Sequence, residues 1–345
     1  MKKQLFLIGI IILIVAGILL ALNLATIKPN EIKNGFNRII INNLITTEKE
    51  ISIPENVITR IAGISGDRLF LQSSNPNIIY YTGDFNKIDM ITFQFPDIPK
   101  LKSSFAVVPK YPFIYILAGN ARKIVKNNFV TRENQVISVQ SPGPLSYPIS
   151  INDNEWTLRC TDTISRNAYF IKINLTNGEI IKKDNFSERL GDAGFIHDGL
   201  LLYDQKNKFQ VYREYYSNRI TIFNEQLELK NYYHTIDTFF SPTMKIRRTL
   251  FSVTNSEPPK MINGVGSLAN GILYVRSYLQ ADNEKNFENR IAIDRYDIST
   301  GAYIGSFYLP YSKSDRLVDF KIHDDLIYIL FKDKIVRTKI NVRLK

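Results

Sequence analysis

The chain has 345 residues and carries 44 Lys and Arg against 33 Asp and Glu, a net charge of +11. The excess favours acidic partners such as anionic headgroups or an acidic protein face, but it is spread thinly with no long basic run, so no nucleic-acid partner is expected. A single cysteine, Cys160, excludes an internal disulfide and any thiolate metal cluster, and 19 Tyr and 21 Phe favour strands.

The first element is "LFLIGIIILIVAGILLAL", Leu5 to Leu22, which holds no charged or polar side chain. At the helical rise it would span about 27 Å, close to a hydrocarbon core. Its apolar core is longer than that of a cleaved signal, and "ALNLAT" puts Asn23 where a small residue should stand. No cysteine follows to carry a lipid. The segment 5–27 is therefore expected to be an uncleaved signal anchor in the cytoplasmic membrane. Residues 1–4 form a cytoplasmic tail, and the remainder lies in the periplasm. Lys28, Lys33 and Arg38 just beyond the span leave the charge bias across it weak. Residues 28–45 read as a spacer, although "RIIINNLI" is apolar enough to dock.

From Ile51 onward, short apolar or alternating runs are broken by Asn, Asp, Gly and Pro, the pattern of an all-β protein. A longer period lies over it. Units begin at Ile58, Ser103, Tyr147, Asp192, Ile262 and Leu317, each with an innermost strand, a turn and a strongly apolar strand. Third strands follow as "NIIYYTG", "KIVKNNF", "NAYFIKIN", "NRITIFN", "NRIAIDRYD" and "KIVRTKINV". The best-formed units close with a hairpin and a fourth strand, as in "RYDISTGAYIGSF" from Arg295 and "KINLTNGEIIKKDNF" from Lys172, where glycine permits a tight turn. The last unit lacks its fourth strand, and a spare strand, Glu48 to Asn56, precedes the first. Pairing Glu48–Asn56 with Lys334–Val342 would close a ring and leave no open edge.

These features predict an all-β, six-bladed β-propeller over 46–345, with four-stranded blades closed by the N-terminal strand and preceded by one N-terminal transmembrane helix. The "D-x-x-T-G" turn of Asp297 to Gly301 before an outer strand resembles the TolB-like and NHL-like superfamily of six-bladed propellers. The chain has no WD dipeptide and no kelch double glycine. What the resemblance implies is a binding scaffold, since enzymes on this fold are recognised by their own residues.

Chemistry-bearing motifs are sparse. "GVGSLANG", Gly264 to Gly271, opens like a dinucleotide fingerprint but lacks its glycine spacing and its helix, and reads as an innermost strand and turn. No Gly-x-Ser-x-Gly elbow or zinc spacing is present. His197 and His323 occupy equivalent repeat positions, "FIHDGL" and "KIHDDL", each ending an innermost strand before an Asp. With Asp192 and Asp319 they are the candidate channel-facing residues, either as turn pairs or, if they converge, as metal ligands. Two departures from the repeat mark candidate binding loops. One, 235–261, carries Phe239, Phe240, Lys245, Arg247, Arg248 and Phe251; the other, 279–290, carries Asn286 and Phe287.

The functional expectation is a non-catalytic, membrane-tethered propeller that binds a protein or envelope ligand and needs no cofactor or metal. A hydrolase or lactonase with a metal in its channel, and a structural subunit of an envelope complex, are the alternatives.

Overall fold

Apolar second strands organise every repeat. In a computed structural model, which describes residues 2–26, 33–95, 98, 101, 104–242, 244–249, 252–255, 257, 259–311 and 313–341, each of them has most of its residues buried. The expectations for Ile27, residues 28–32, Phe251 and Val342 fall outside the described residues.

Strand β1 (Ile45–Ser52) precedes the repeats. The first blade is β2 (Ile58–Ser65), β3 (Arg68–Ser73), β4 (Ile78–Thr82) and β5 (Asp89–Thr92). The second is β6 (Phe105–Lys110), β7 (Phe113–Ala118), β8 (Lys123–Asn128) and β9 (Asn134–Ser138). The third is β10 (Leu145–Ser150), β11 (Glu155–Thr161), β12 (Ala168–Asn174) and β13 (Ile180–Lys183). The fourth is β14 (Gly199–Asp204), β15 (Phe209–Glu214), β16 (Arg219–Asn224) and β17 (Leu229–His234). A small hairpin, β18 (Ile246–Arg248) and β19 (Val253–Asn255), follows. The fifth blade is β20 (Asn263–Ala269), β21 (Ile272–Ser277), β22 (Ala292–Asp297) and β23 (Tyr303–Tyr308). The sixth combines β24 (Asp319–His323), β25 (Leu326–Leu330) and β26 (Lys334–Ile340) with β1, in the order β1-β26-β25-β24.

The chain is a six-bladed β-propeller of antiparallel four-stranded blades. Its two ends close the ring as the strand count predicts, with Ser52 opposite Lys334 and Ile45 opposite Ile340. Blade faces bury against one another. Trp156, Leu158 and Cys160 of the third blade pack with Tyr115, Leu117 and Ile124 of the second. Burial pushes the Cys160 thiol up to about 11, so it stays protonated and inert.

The opening hairpin motif has a local cause. The Asp297 carboxylate accepts bonds from the Ser299 and Thr300 amides, and Gly301 takes φ +75°. Asn174 and Gly178 repeat the arrangement, with φ +76° at the glycine. In the fourth blade Asn224 accepts from the Gln226 amide and Leu227 adopts the left-handed conformation in place of glycine.

Two expectations are corrected. The innermost strand of the fourth blade is β14, not the segment around Asp192–His197. Asp192 instead accepts bonds from the Gly194 and Ile196 amides at 3.0 and 2.7 Å, folding that segment into a loop. The described part of 28–45 is also no spacer. Ile40 bridges Ser306 in parallel beside β23, and Leu44 is 1 % exposed in the core between the fifth and sixth blades.

The N-terminal helix α1 spans Lys2–Thr26, and its described side chains from Gly9 to Ala21 are exposed. Among the described residues no helix is long and apolar enough to cross a membrane.

Candidate functional site

Each blade begins at its innermost strand, so all six innermost strands start on one face of the ring and end on the other. The end face holds tight turns, such as Lys110–Phe113 and His323–Leu326. The start face collects the long connections, 184–198, 235–262 and 278–291. Both candidate binding loops therefore project from the same face, here called the loop face. Long segments over a rigid ring are where binding residues concentrate.

Arg38 builds the first part of this face. Its Nε donates to Asp294 Oδ1 at 2.7 Å, its Nη2 to Asp294 Oδ2 at 3.2 Å, and its Nη1 to Glu284. Its guanidinium carbon lies 5.1 Å from the Phe36 ring centroid and 5.4 Å from that of Phe287. Burial opposes the charge, but Asp294 and Glu284 outweigh it and hold the guanidinium above its ordinary pKa. The Ala281 amide and the Tyr308 hydroxyl donate to the same Glu284 carboxylate, which fixes the 278–291 loop. Phe287 is thereby buried, and Asn286 takes a left-handed turn at the surface. This loop, residues 308–311 and the segment at Ile40 and Asn42 enclose a cleft of about 800 Å³. Asn283, Asn286, Asn289, Arg290, Tyr308 and Tyr311 line it.

A second cluster lies at the fourth blade. His197 Nδ1 is 2.9 Å from Glu214 Oε1, and its Nε2 is 3.2 Å from Glu188 Oε2. Ser217 donates to Glu214 at 2.5 Å, and Arg219 Nη1 donates to Glu188 at 2.5 Å. Burial lowers the His197 pKa, but Glu214 and Glu188 outweigh it and the net shift is upward. Arg219 holds the Glu188 carboxyl below its usual range. The adjoining cavity is only about 40 Å³, so the cluster is filled by its own members.

The four candidate channel residues do not converge. The channel cavity, about 280 Å³, is bounded by residues of all six innermost strands, and Asp192, His197, Asp319 and His323 are absent from its wall. His197 precedes β14 on the loop face, whereas His323 ends β24 on the opposite face, exposed beside Asp324. Their equivalence in sequence came from the misassigned strand. Asp319 is buried and accepts the Ile61 amide at 3.0 Å, tying the sixth blade to the first. Among the described residues, no group of three His, Cys, Asp or Glu is placed to hold a metal ion.

The 235–262 connection is partly docked. Arg248 Nη2 donates to the Leu190 carbonyl at 3.1 Å, Arg166 reaches the Thr249 carbonyl at 2.9 Å, and Lys245 pairs with Glu257 at 2.7 Å. The Phe239 ring lies 4.1 Å from the Lys260 ammonium, Phe240 is 65 % exposed against His234, and Arg247 is exposed. Sequence reasoning took Arg38 for a membrane-flanking charge and missed Glu188, Glu214 and Arg219. Only the isolated arginine inside "GFNRIII" hinted at a buried role.

No family model and no curated protein matches the chain. Solved structures do. A DUF4221-family protein from Bacteroides vulgatus aligns over 87 % of this chain and 99 % of its own, with TM-score 0.60 and 14 % identity. Virginiamycin B lyase from Staphylococcus aureus aligns over 86 % of this chain and 100 % of its own, with TM-score 0.53 and 12 % identity. A catalytically inactive histidine-to-alanine variant of that lyase, solved with quinupristin, aligns equally well, at TM-score 0.53. What they share with this chain is the fold. At such identities a propeller scaffold is common ground for a lyase and for proteins of other roles.

Proposed function

We propose that this chain is a non-catalytic, membrane-tethered binding module whose loop face engages a protein or envelope ligand outside the cytoplasmic membrane. One observation carries the reading. The long connections and the 800 Å³ cleft share one face, and the cleft wall is mostly amides, tyrosines, Lys285 and Arg290, its one carboxylate, Glu284, being held by Arg38 and the Tyr308 hydroxyl. Such walls suit recognition by hydrogen bonding and ring contact. The His197 cluster supports the same reading, because both ring nitrogens already face carboxylates. Support for the tether is the uninterrupted apolar run Leu5–Leu22, together with exposed α1 side chains such as Leu13 at 74 % and Leu20 at 62 %. Exposed apolar side chains of this kind are favoured in a lipid environment.

Site-specific photo-crosslinking in intact cells tests the binding half. A crosslinker at Asn289 should give one discrete adduct, and one at Asp324 on the opposite face should give none. Adducts from Asp324 alone, or from neither position, would remove the loop face from consideration. Carbonate washing of isolated membranes tests the tether: release of the full chain into the supernatant would sink it.

A further inference from the structure

The innermost strands carry a feature that the loop-face reading does not use. Arg60 on β2 and Lys321 on β24 both line the channel cavity, on neighbouring blades at the ring closure. Among the described residues, neither side chain makes a hydrogen bond or an ion pair. The cavity wall contains no Asp or Glu. The closest acid in sequence, Asp319, has its Oδ2 on the Ile61 amide. Burial pushes the Lys321 ammonium below its ordinary pKa, Asp319 opposes the shift, and Arg60 adds like-charge repulsion. The register of β2 against β3 slips between Ile58 and Arg60 and again between Ile61 and Gly63. Such bulges re-aim a side chain. Two adjacent partly buried cations whose neighbouring carboxylate, Asp319, is taken up by the Ile61 and Phe320 amides are costly to the empty protein. The rest of the wall is largely apolar, including Val108, Ile149, Leu200 and Leu202.

We propose that the central channel is a binding site for a small organic acid, whose carboxylate is held between Arg60 and Lys321 and whose apolar body lies along the opposite wall. The cavity of about 280 Å³ admits a short-chain acid rather than a polymer. This site is independent of the loop face, and either can fail without the other. A free phosphate shares the anionic chemistry but would leave the apolar wall unused, so the two sources are separable.

The test is calorimetric titration of the full chain in detergent micelles with hexanoate, inorganic phosphate and hexanol, at constant ionic strength. Hexanoate should bind saturably, phosphate more weakly, and hexanol not measurably. Arg60→Gln and Lys321→Met should each weaken hexanoate binding at least tenfold, the loss of one charge-assisted contact. Lys321→Met should melt no lower than the wild type without ligand, since it removes a cation that burial and Arg60 disfavour there. Arg60→Gln keeps the test open if that variant misfolds. Absence of saturable hexanoate binding, or binding unchanged in the folded variants, would overturn the site. Phosphate binding tighter than hexanoate would overturn the organic-acid assignment.

Discussion

Arg38 reaches across 256 positions of sequence to Asp294, and with Glu284 it forms a buried three-residue ion cluster that fastens the N-terminal segment to the fifth blade. The side chain of Arg38 is 0 % exposed and those of its partners 3 % each, so none can recover water if one member is lost. We expect Arg38→Met to cost about 3–5 kcal/mol by leaving two carboxylates buried and unpaired. Arg38→Lys should fall between, because it keeps the charge but not the two-pronged contact to Asp294. Denaturant unfolding of the two variants gives the comparison, and a loss below about 1 kcal/mol in Arg38→Met would mean that the cluster is already hydrated.

Blade-to-blade cohesion also depends on side chains that cap a neighbour's backbone. Asp319 accepts the Ile61 amide at 3.0 Å, Ser267 the Ile322 amide at 2.8 Å, and Gln72 the Val107 amide at 2.9 Å. Asp319→Ala should cost about 1–3 kcal/mol, the penalty of a buried donor left without its partner. Ser267→Ala should cost less, because the acceptor it removes is uncharged. Equal effects from the two variants, measured by thermal unfolding, would argue that the charge of Asp319 contributes nothing.

His197 makes stability depend on pH with a defined sign. Despite the burial that opposes its charge, Glu214 and Glu188 raise its folded pKa above the unfolded value. The proton is therefore bound more tightly when folded. Its stabilisation is complete below the unfolded pKa, about 6.5, and is lost as pH rises through the folded value. Melting temperatures of wild type and His197→Gln should differ most near pH 5.5 and converge as pH rises through the raised folded pKa. A difference that grows with pH would contradict the ion-pair account.

Much of the architecture was legible because β repeats advertise themselves. All six third strands lie where "IIYYT", "KIVKNN" and their counterparts stand, since alternation and flanking Asn or Gly constrain them locally. The misreading at the fourth blade has a physical source. "GLLLYD" is apolar enough to pass for a second strand, and nothing local reveals that Asp192 bonds to loop amides. The Arg38 cluster and the Arg60–Lys321 pair were beyond sequence for another reason. Their members are brought together by ring closure, over separations that no local pattern encodes.

Ring closure leads to the last prediction. Strand β1 supplies the outer edge of the sixth blade, pairing from Ile45 opposite Ile340 to Ser52 opposite Lys334. Ile53, just beyond it, is buried with Leu330 and Ile335, and its amide bonds to the Asp333 carbonyl at 2.8 Å. Ahead of β1, the Leu44 carbonyl accepts the Asn341 amide at 2.7 Å. Three shortened chains separate these contributions. One beginning at residue 33 keeps every described contact of the segment and should match the full chain. One beginning at residue 46 loses the burial of Leu44, about 1.5–3 kcal/mol, and strands Asp294 and Glu284 without Arg38. It should fold but melt clearly lower, which reverses the expectation that 28–45 is dispensable. One beginning at residue 57 also exposes the edge of β26 and opens the ring, so it should lose its cooperative transition or aggregate. Thermal unfolding of the three chains gives the order directly. Equal melting of the chains from 46 and 57 would show that the N-terminal strand does not hold the ring closed.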